Sequence, residues 1–348
     1  MRIEPRDHRP VRLVVLGISG ACLLMLLLGS LLIMSARAPV WASWLTLLKG
    51  AFGSRLAISE VLTRSTPLIL TGLACAVAFR ARLWNIGAEG QFYAGALTVA
   101  ALGAGLLNLP AWLLVPVLLG AGSLGGGLYL LGPAMLKHWC NVDDVVTTLL
   151  LNFVMLLLVS LLIQGPMRDP MSMGWPQTEP VIDAVMLPKL MSQTRLHAGL
   201  VIALGCALLI ALVESRSSFG LQRRAVGHNP SAARFAGIST TRIAIWTALW
   251  SGGLAGLAGA VEVMGLRGYV TGDLSPGFGY TGVVIAMLAR LNPVVVPLAS
   301  FLVAAIFVGA DAMGRAFNVP SYIADVMVAL SLFVMLATSF VLTYRIRR

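Results

Sequence analysis

Lysine is the scarcest charge in this sequence: Lys49, Lys137 and Lys189 are all it has in 348 residues. Each follows a residue other than glycine (Leu48, Leu136, Pro188), so no Gly-Lys-Ser/Thr loop is available to cradle nucleotide phosphates. The chain therefore has no Walker A route to ATP hydrolysis. Histidine is equally thin. His8, His138, His197 and His228 are scattered among loops and span ends, with no His-x-x-x-His pair, and no Gly-x-Ser-x-Gly elbow occurs. Without such constellations no catalytic site, metal site or bound cofactor is expected. The four cysteines, Cys22, Cys75, Cys140 and Cys206, share no metal-like spacing and read as small core residues.

Charge as a whole is sparse: 11% of residues, against 58% hydrophobic. A soluble domain carries about 25% charged residues. A chain this apolar cannot cover itself with polar surface in water, so it is read as an all-α polytopic membrane protein. The net charge of +11 does not mark a nucleic-acid partner, because the arginines lie between apolar runs rather than on one basic face.

A helix needs about 20 apolar residues to cross a bilayer. Ten candidate spans follow: Leu13–Met34, Val61–Phe79, Ala88–Leu107, Trp112–Leu131, Val145–Ile163, Leu196–Val213, Ile243–Val263, Thr281–Leu291, Val294–Ala310 and Tyr322–Tyr344. The first run exceeds the ~7–15 residues of a signal-peptide core, so it is read as a retained span despite Ala36-Arg37-Ala38 behind it. The eighth is too short to cross unaided and stops at Asn292-Pro293.

Placing the N-terminus inside gives the cytoplasmic side sixteen basic residues against nine outside. The inside set is Arg2, Arg6, Arg9, Arg12, Arg80, Arg82, Lys137, Arg216, Arg223, Arg224, Arg234, Arg242, Arg290, Arg345, Arg347 and Arg348. Both termini are therefore expected in the cytoplasm. Trp41 to Glu60 suits an interfacial segment outside, and the proline-rich stretch Pro166 to Arg195 an ordered external loop. Glu214 to Arg242, with five arginines, is the longest cytoplasmic loop.

Glycines crowd two spans: Gly120, Gly122, Gly125, Gly126 and Gly127 in the fourth, Gly252, Gly253, Gly256 and Gly259 in the seventh. Such spacing lets helix backbones approach closely in lipid, within the bundle or between copies. Two stretches share a design, NIGAEGQFYAGA and SPGFGYTGVVIA, each with glycines and polar residues ahead of an apolar helix. They face opposite ways in this topology, the pattern of an inverted repeat whose broken helices meet near a substrate path.

The polar residues here define a candidate pathway: Asn85, Glu89, Gln91, Asn152, Tyr280 and Thr281. Glu89 has a competing role as a helix cap or as partner of Arg80 or Arg82. Asn152 has one as a bridge between helices. Glu262, Asp311 and Asp325 fall near span ends, where water reaches them, which lowers an ion-coupled mechanism. In the cytoplasmic loop Asn229 is a good N-cap, Pro230 fits the first helical position, and Gly237 can close a short Ser231–Phe235 helix in a left-handed cap.

Four stretches carry a resemblance. RSTPLILTGLACAVAFRARLWNIGAEGQFYAGAL, NVDDVVTTLLLNF, RAVGHNPSAARFAGI and GFGYTGVVIAMLARLNP resemble, in this order, regions of the nucleoside and simple-sugar, branched-chain amino acid-like, permease subunits of ATP-binding cassette importers. Asp144 stands where that family usually has glutamate, and Thr281 where many members have aspartate. The matches cover roughly residues 60 to 345, and the chain is read as one transmembrane permease domain over 1–348: a first span 13–34, helix group 61–163, external loop 166–195, coupling loop 214–242 and second helix group 243–344. The resemblance implies transport without catalysis, a bacterial inner-membrane location, membrane lipid around it, and a second permease, related or identical. Separate ATPase subunits would use the ATP, and an external binding protein would deliver a nucleoside, a simple sugar or a similar small polar solute. Arg224, Gly227, Asn229, Pro230, Ala232, Ala233, Arg234, Phe235 and Gly237 would then form the ATPase-coupling loop. The rival class is an ion-coupled secondary transporter working alone.

Overall fold

The structure is a computed structural model that describes residues 2–5, 11–107, 109–319 and 321–347. Arg6, His8, Arg9 and Arg348 lie outside these, as do the side chains of Arg2, Asp325, Arg345 and Arg347. Among the described residues there are thirteen α-helices and one small antiparallel pairing of β1 (Arg2–Pro5) with β2 (Tyr344–Arg347). The helices are α1 (Val11–Ser35), α2 (Val40–Phe52), α3 (Arg55–Arg80), α4 (Ala88–Gly103), α5 (Ala111–Cys140), α6 (Asp144–Gln164), α7 (Gly199–Arg216), α8 (Ser218–His228), α9 (Pro230–Phe235), α10 (Thr240–Glu262), α11 (Phe278–Leu288), α12 (Val296–Phe317) and α13 (Ser321–Thr343). The chain is an all-α polytopic membrane protein.

Every expected span meets a helix, but not at its expected length. Seven helices are long and apolar enough to cross a membrane. The second begins at Arg55 rather than Val61, because nothing between the Gly53-Ser54 break and Pro67 interrupts helical backbone. The fourth continues past Leu131 to Cys140, where Asn141 closes it in the left-handed conformation. The third is cut to the 16 residues of α4, and α11 has only 11. At 1.5 Å per residue neither covers a ~30 Å hydrocarbon core.

The chain divides into two compact units, Thr63–Ser300 and the flanking segments up to Leu62 and from Phe301. In the flanking unit, Ile33, Met313, Val319 and Met327 form a buried core against Trp44, Leu47 and Phe317. Trp44 donates its ring N–H to Ser30 Oγ at 3.0 Å. The stretch expected at the interface, Trp41 to Glu60, is helix α2 and the start of α3, with Trp41 exposed and Ser43 and Ala51 buried.

The central unit is built on glycine. A Cβ on Gly126 would strike the backbones of Gly252 and Gly256, one on Gly122 would meet Ala260, and one on Gly259 would strike the Phe92 carbonyl. The fourth and seventh spans thus pack on each other and on α4 within one chain. Gly120 alone among those nine faces open space. The 165–198 connection is ordered: Arg168 bridges Thr178, Gln177 bridges Thr271, and Val181 N donates to Gly268 O at 2.8 Å. Not every cysteine is in the core: Cys75 is buried, but Cys22 and Cys140 are exposed, since they lie on outward helix faces.

Candidate functional site

Two short helices begin inside the central unit and meet. The backbone leaves helix at Arg82, which is left-handed at φ 55°, and returns to it after Gly87. On the other side, Gly277 is left-handed at φ 86° and starts α11. A side chain on Gly279 would collide with the Glu89 backbone, so glycine is what lets the two starts touch.

Glu89 lies at this meeting point. Its carboxylate accepts from Gly279 N at 2.7 Å, beside the Ser275 hydroxyl and the Gly277 amide. It therefore caps α11, a helix 190 positions away, rather than its own helix or Arg80 or Arg82. Free N–H groups and the positive dipole end of a helix make such a place favourable for a carboxylate. Tyr93 closes the same junction, donating to Gly272 O (2.8 Å) and accepting from Ser275 N (3.1 Å). Thr71 donates to Phe278 O at 3.0 Å from α3.

The amides are spent on structure. Asn85 donates to Gln91 Oε1 (2.8 Å) and Ser251 Oγ (2.9 Å) and accepts from Gly87 N (3.0 Å) and Gln91 Nε2 (2.7 Å). Asn152 accepts from Gly90 N (2.8 Å) and donates to Ile86 O (2.9 Å). Both are fully buried, and Gln91 nearly so. Asn85 and Asn152 thus pair with backbone that the broken helix leaves unpaired, and Gln91 holds Asn85 in place. Of the candidate pathway set, Tyr280, at 37% exposure, is the one open to contact, and Thr281 is covered at 7%. The expectation that water reaches Glu262 is also corrected: it is 5% exposed, walled in at the end of α10 with Arg267 and Arg64 as charged neighbours. Among the described residues no group of three or more His, Cys, Asp or Glu is placed to hold a metal.

The arginine-rich loop is two helices. Ser217 caps α8, accepting from Gly220 N at 3.1 Å. Asn229 caps α9, accepting from Ser231 N and Ala232 N, both at 3.1 Å. Pro230 opens α9 and Gly237, at φ 80°, closes it. Local chemistry here was readable residue by residue. Its faces were not: Ala233 is buried against the chain itself, while Ala232, Arg234, Ala236 and above all Phe235, at 96%, are exposed. Gly227 abuts the Arg80 carbonyl, where a Cβ has no room.

Beneath this loop is an ionic cluster that the sequence reading missed. Glu214, buried at the end of α7, pairs with Arg80 at the end of α3 and with Arg223 of α8. Arg223 is 1% exposed and lies over the Phe219 ring at 5.7 Å. Burial first, then Arg224, lowers its pKa to about 10, leaving it charged at neutral pH. The signal was present: Glu214 is the sole acid among residues 214–242. A second cluster joins Lys137 to Asp144 at 2.6 Å, with Asp144 accepting from Trp84 N at 2.5 Å and Lys137 donating to Arg82 O. Beside them opens a cleft of about 620 Å³ lined by Arg82, Trp84, Lys137, Arg234 and Thr247.

Broken helices meet inside a glycine-packed bundle, and a capped two-helix arginine loop carries the exposed ring of Phe235, an arrangement that fits a membrane-transport subunit. Over residues 57–343 the chain matches the family described as branched-chain amino acid transport system, permease component, and it belongs to that family. It is 34% identical to the glucose ABC transporter permease of Haloferax volcanii over 84% of this chain and 79% of that one. It is 32% identical to the guanosine ABC transporter permease of Bacillus subtilis (92% and 90%) and 28% identical to a nucleoside ABC transporter permease of Lactococcus lactis (88% and 86%). No solved structure matches. The chain is thus a permease subunit of an ATP-binding cassette importer, whose ATP hydrolysis belongs to separate subunits and whose partners include a substrate-binding protein. That family supports ATP-driven import, not the ion-coupled rival.

Proposed function

We propose that this permease carries nucleosides, or related small polar solutes such as simple sugars, across a bacterial cytoplasmic membrane. The guanosine permease of Bacillus subtilis, similar over nine-tenths of both chains, carries this reading. The glucose permease of Haloferax volcanii supports the sugar alternative. Arginine distribution supports both termini in the cytoplasm, which puts the α8–α9 loop there too. A single α4–α11 junction supports half of an inverted-repeat path, completed by a second permease, related or identical, in surrounding lipid. The whole chain acts as one permease domain, binds no cofactor itself and leaves ATP to its partners. Phe235 and the outward face of α9 dock the ATPase, and Tyr280 lies nearest the solute with Thr281 covered beside it.

The test is uptake by the assembled complex in proteoliposomes, with radiolabelled guanosine and glucose. ATP-dependent guanosine uptake that unlabelled nucleosides compete and glucose does not is the expected result. Uptake driven by a proton or sodium gradient without ATP overturns the reading.

A further inference from the structure

Buried ion clusters are poor sources of stability. Desolvating three charges costs as much as their attraction returns, and well-packed apolar side chains serve as well or better. What such a cluster does supply is a fixed geometry, because each charge must stay on its partner. The Glu214 cluster has one acid serving two arginines, each from a different helix, and all three groups are largely withdrawn from water. Moving any of the three helices separates charges in a confined place.

The cluster stands between two functional regions. On one side is α9 with Phe235. Helix α8 precedes it, joined through the single residue Asn229, which caps α9. On the other side Arg80 is the last residue of α3, five positions before Asn85. The segment between them is non-helical, starting at the left-handed Arg82, and its far side is held by Asp144 and Lys137. Gly227 pressed on the Arg80 carbonyl gives α8 a second bearing on the same point. Phe219 against Trp250, with ring centroids 6.4 Å apart, gives α8 a bearing on α10 as well.

We propose that the Arg80–Glu214–Arg223 cluster is the joint through which movement of the α8–α9 loop reaches the broken start of α4. Glu214 and Arg223 are positioning residues: they touch no solute, and they turn a push on α9 into displacement of Arg80 and so of the Arg82–Gly87 segment. The path is contiguous and its two ends are rigidly held, one by the α9 caps and the other by the Asn85–Gln91–Ser251 hydrogen bonds. The inference rests on ATPase docking at α9.

The test uses the full complex with Glu214→Gln, which removes the charge both arginines share while leaving α9 and Phe235 unaltered. Three quantities are read: co-purification of the ATPase, ATP hydrolysis, and uptake of the solute the wild-type complex carries, guanosine and glucose being tried first. ATPase association and hydrolysis are expected to stay within about twofold while uptake per ATP falls about tenfold, inside the ~5–150-fold range of coupling between sites. Unchanged uptake per ATP overturns the proposal. Loss of association with uptake also overturns it, whereas failure of the docking reading itself appears as normal association in a Phe235→Ala variant. If Glu214→Gln does not reach the membrane, Arg80→Lys takes its place. That variant keeps the charge on the most exposed of the three, at 21%, but loses the planar fork. It is expected to lower uptake per ATP severalfold, and wild-type coupling in it would overturn the proposal.

Discussion

The two junctions of the central unit solve one problem in opposite ways. Where α4 and α11 meet, the buried polar groups are largely amides and hydroxyls, and the buried acid, Glu89, is bonded to backbone N–H. Where α3, α7 and α8 meet, the contacts are ion pairs. In hydrocarbon every backbone group that a broken helix frees must be satisfied internally, and neutral amides do so without the desolvation cost of a charge. At the loop end the charges are buried as well, and because each must stay on its partner they give directional grip. On the proposal above, the inner junction holds still and the outer one passes on motion.

The sharpest way to break that contrast is through the inner packing. Gly256→Leu should prevent a folded permease from accumulating, because the obstacle is the Gly122 and Gly126 backbone rather than a side chain that can turn aside. The effect should exceed the ~1–3 kcal/mol typical of overpacking. Membrane expression and monodispersity in detergent are the measurements, and a stable Gly256→Leu protein would refute the backbone contact.

Asn85→Leu should come next. It strands the Gln91 amide and the Gly87 N–H, while Ser251 keeps its bond to Ala74 O, and buried groups without partners cost about 1–3 kcal/mol each. A fall of about 3 kcal/mol in unfolding stability is expected in the purified permease. A pathway role without a structural one predicts normal stability and altered solute selectivity instead.

A smaller, pH-dependent effect belongs to His197, outside the spanning helices. It is 1% exposed, its Nδ1 accepts from Gly199 N at 3.1 Å, and its Nε2 has no partner among the described residues. Burial lowers its pKa from 6.5 to about 4. A histidine with a depressed folded pKa contributes stability that is complete above 6.5 and drains away as pH falls toward 4. Wild-type protein should therefore lose about 1–3 kcal/mol between those limits from this group. His197→Gln should flatten that slope in thermal unfolding followed against pH, and an unchanged slope would refute the assignment.

The smallest effect on stability should come from Phe235→Ala, within ~0.5 kcal/mol, because the ring is almost wholly in solvent. Its effect on ATPase co-purification should be large. Ala233→Arg cannot make this distinction, since Ala233 is packed against its own chain and a charge there disturbs the fold first.

Local features were legible wherever a short stretch contains its own explanation. The Asn229–Pro230–Gly237 pattern specified α9, and the glycines before α4 and α11 marked where helix breaks off. The eighth span was short as expected, but it ends at Leu288, with Arg290 and Leu291 left-handed, ahead of Asn292-Pro293. Partnership was not legible. Glu89 had Arg80 and Arg82 nearby in sequence and took neither, because Arg80 is turned toward Glu214 and the start of α11 offered unpaired amides. Arginines counted as markers of orientation proved to include two members of a buried cluster.

By itself, then, the order of residues determined that this chain lives in lipid, where its backbone can be helical, and which loop is rich in positive charge. Those follow from transfer free energies and from φ, ψ preferences that act over a few residues. Only the tertiary structure decided that Asn85 and Asn152 are spent on backbone, that Ala233 faces inward, and that Glu214 binds Arg80 and Arg223. Those outcomes depend on side chains tens to hundreds of positions apart competing for the same few buried donors and acceptors, and no local pattern records which of them wins.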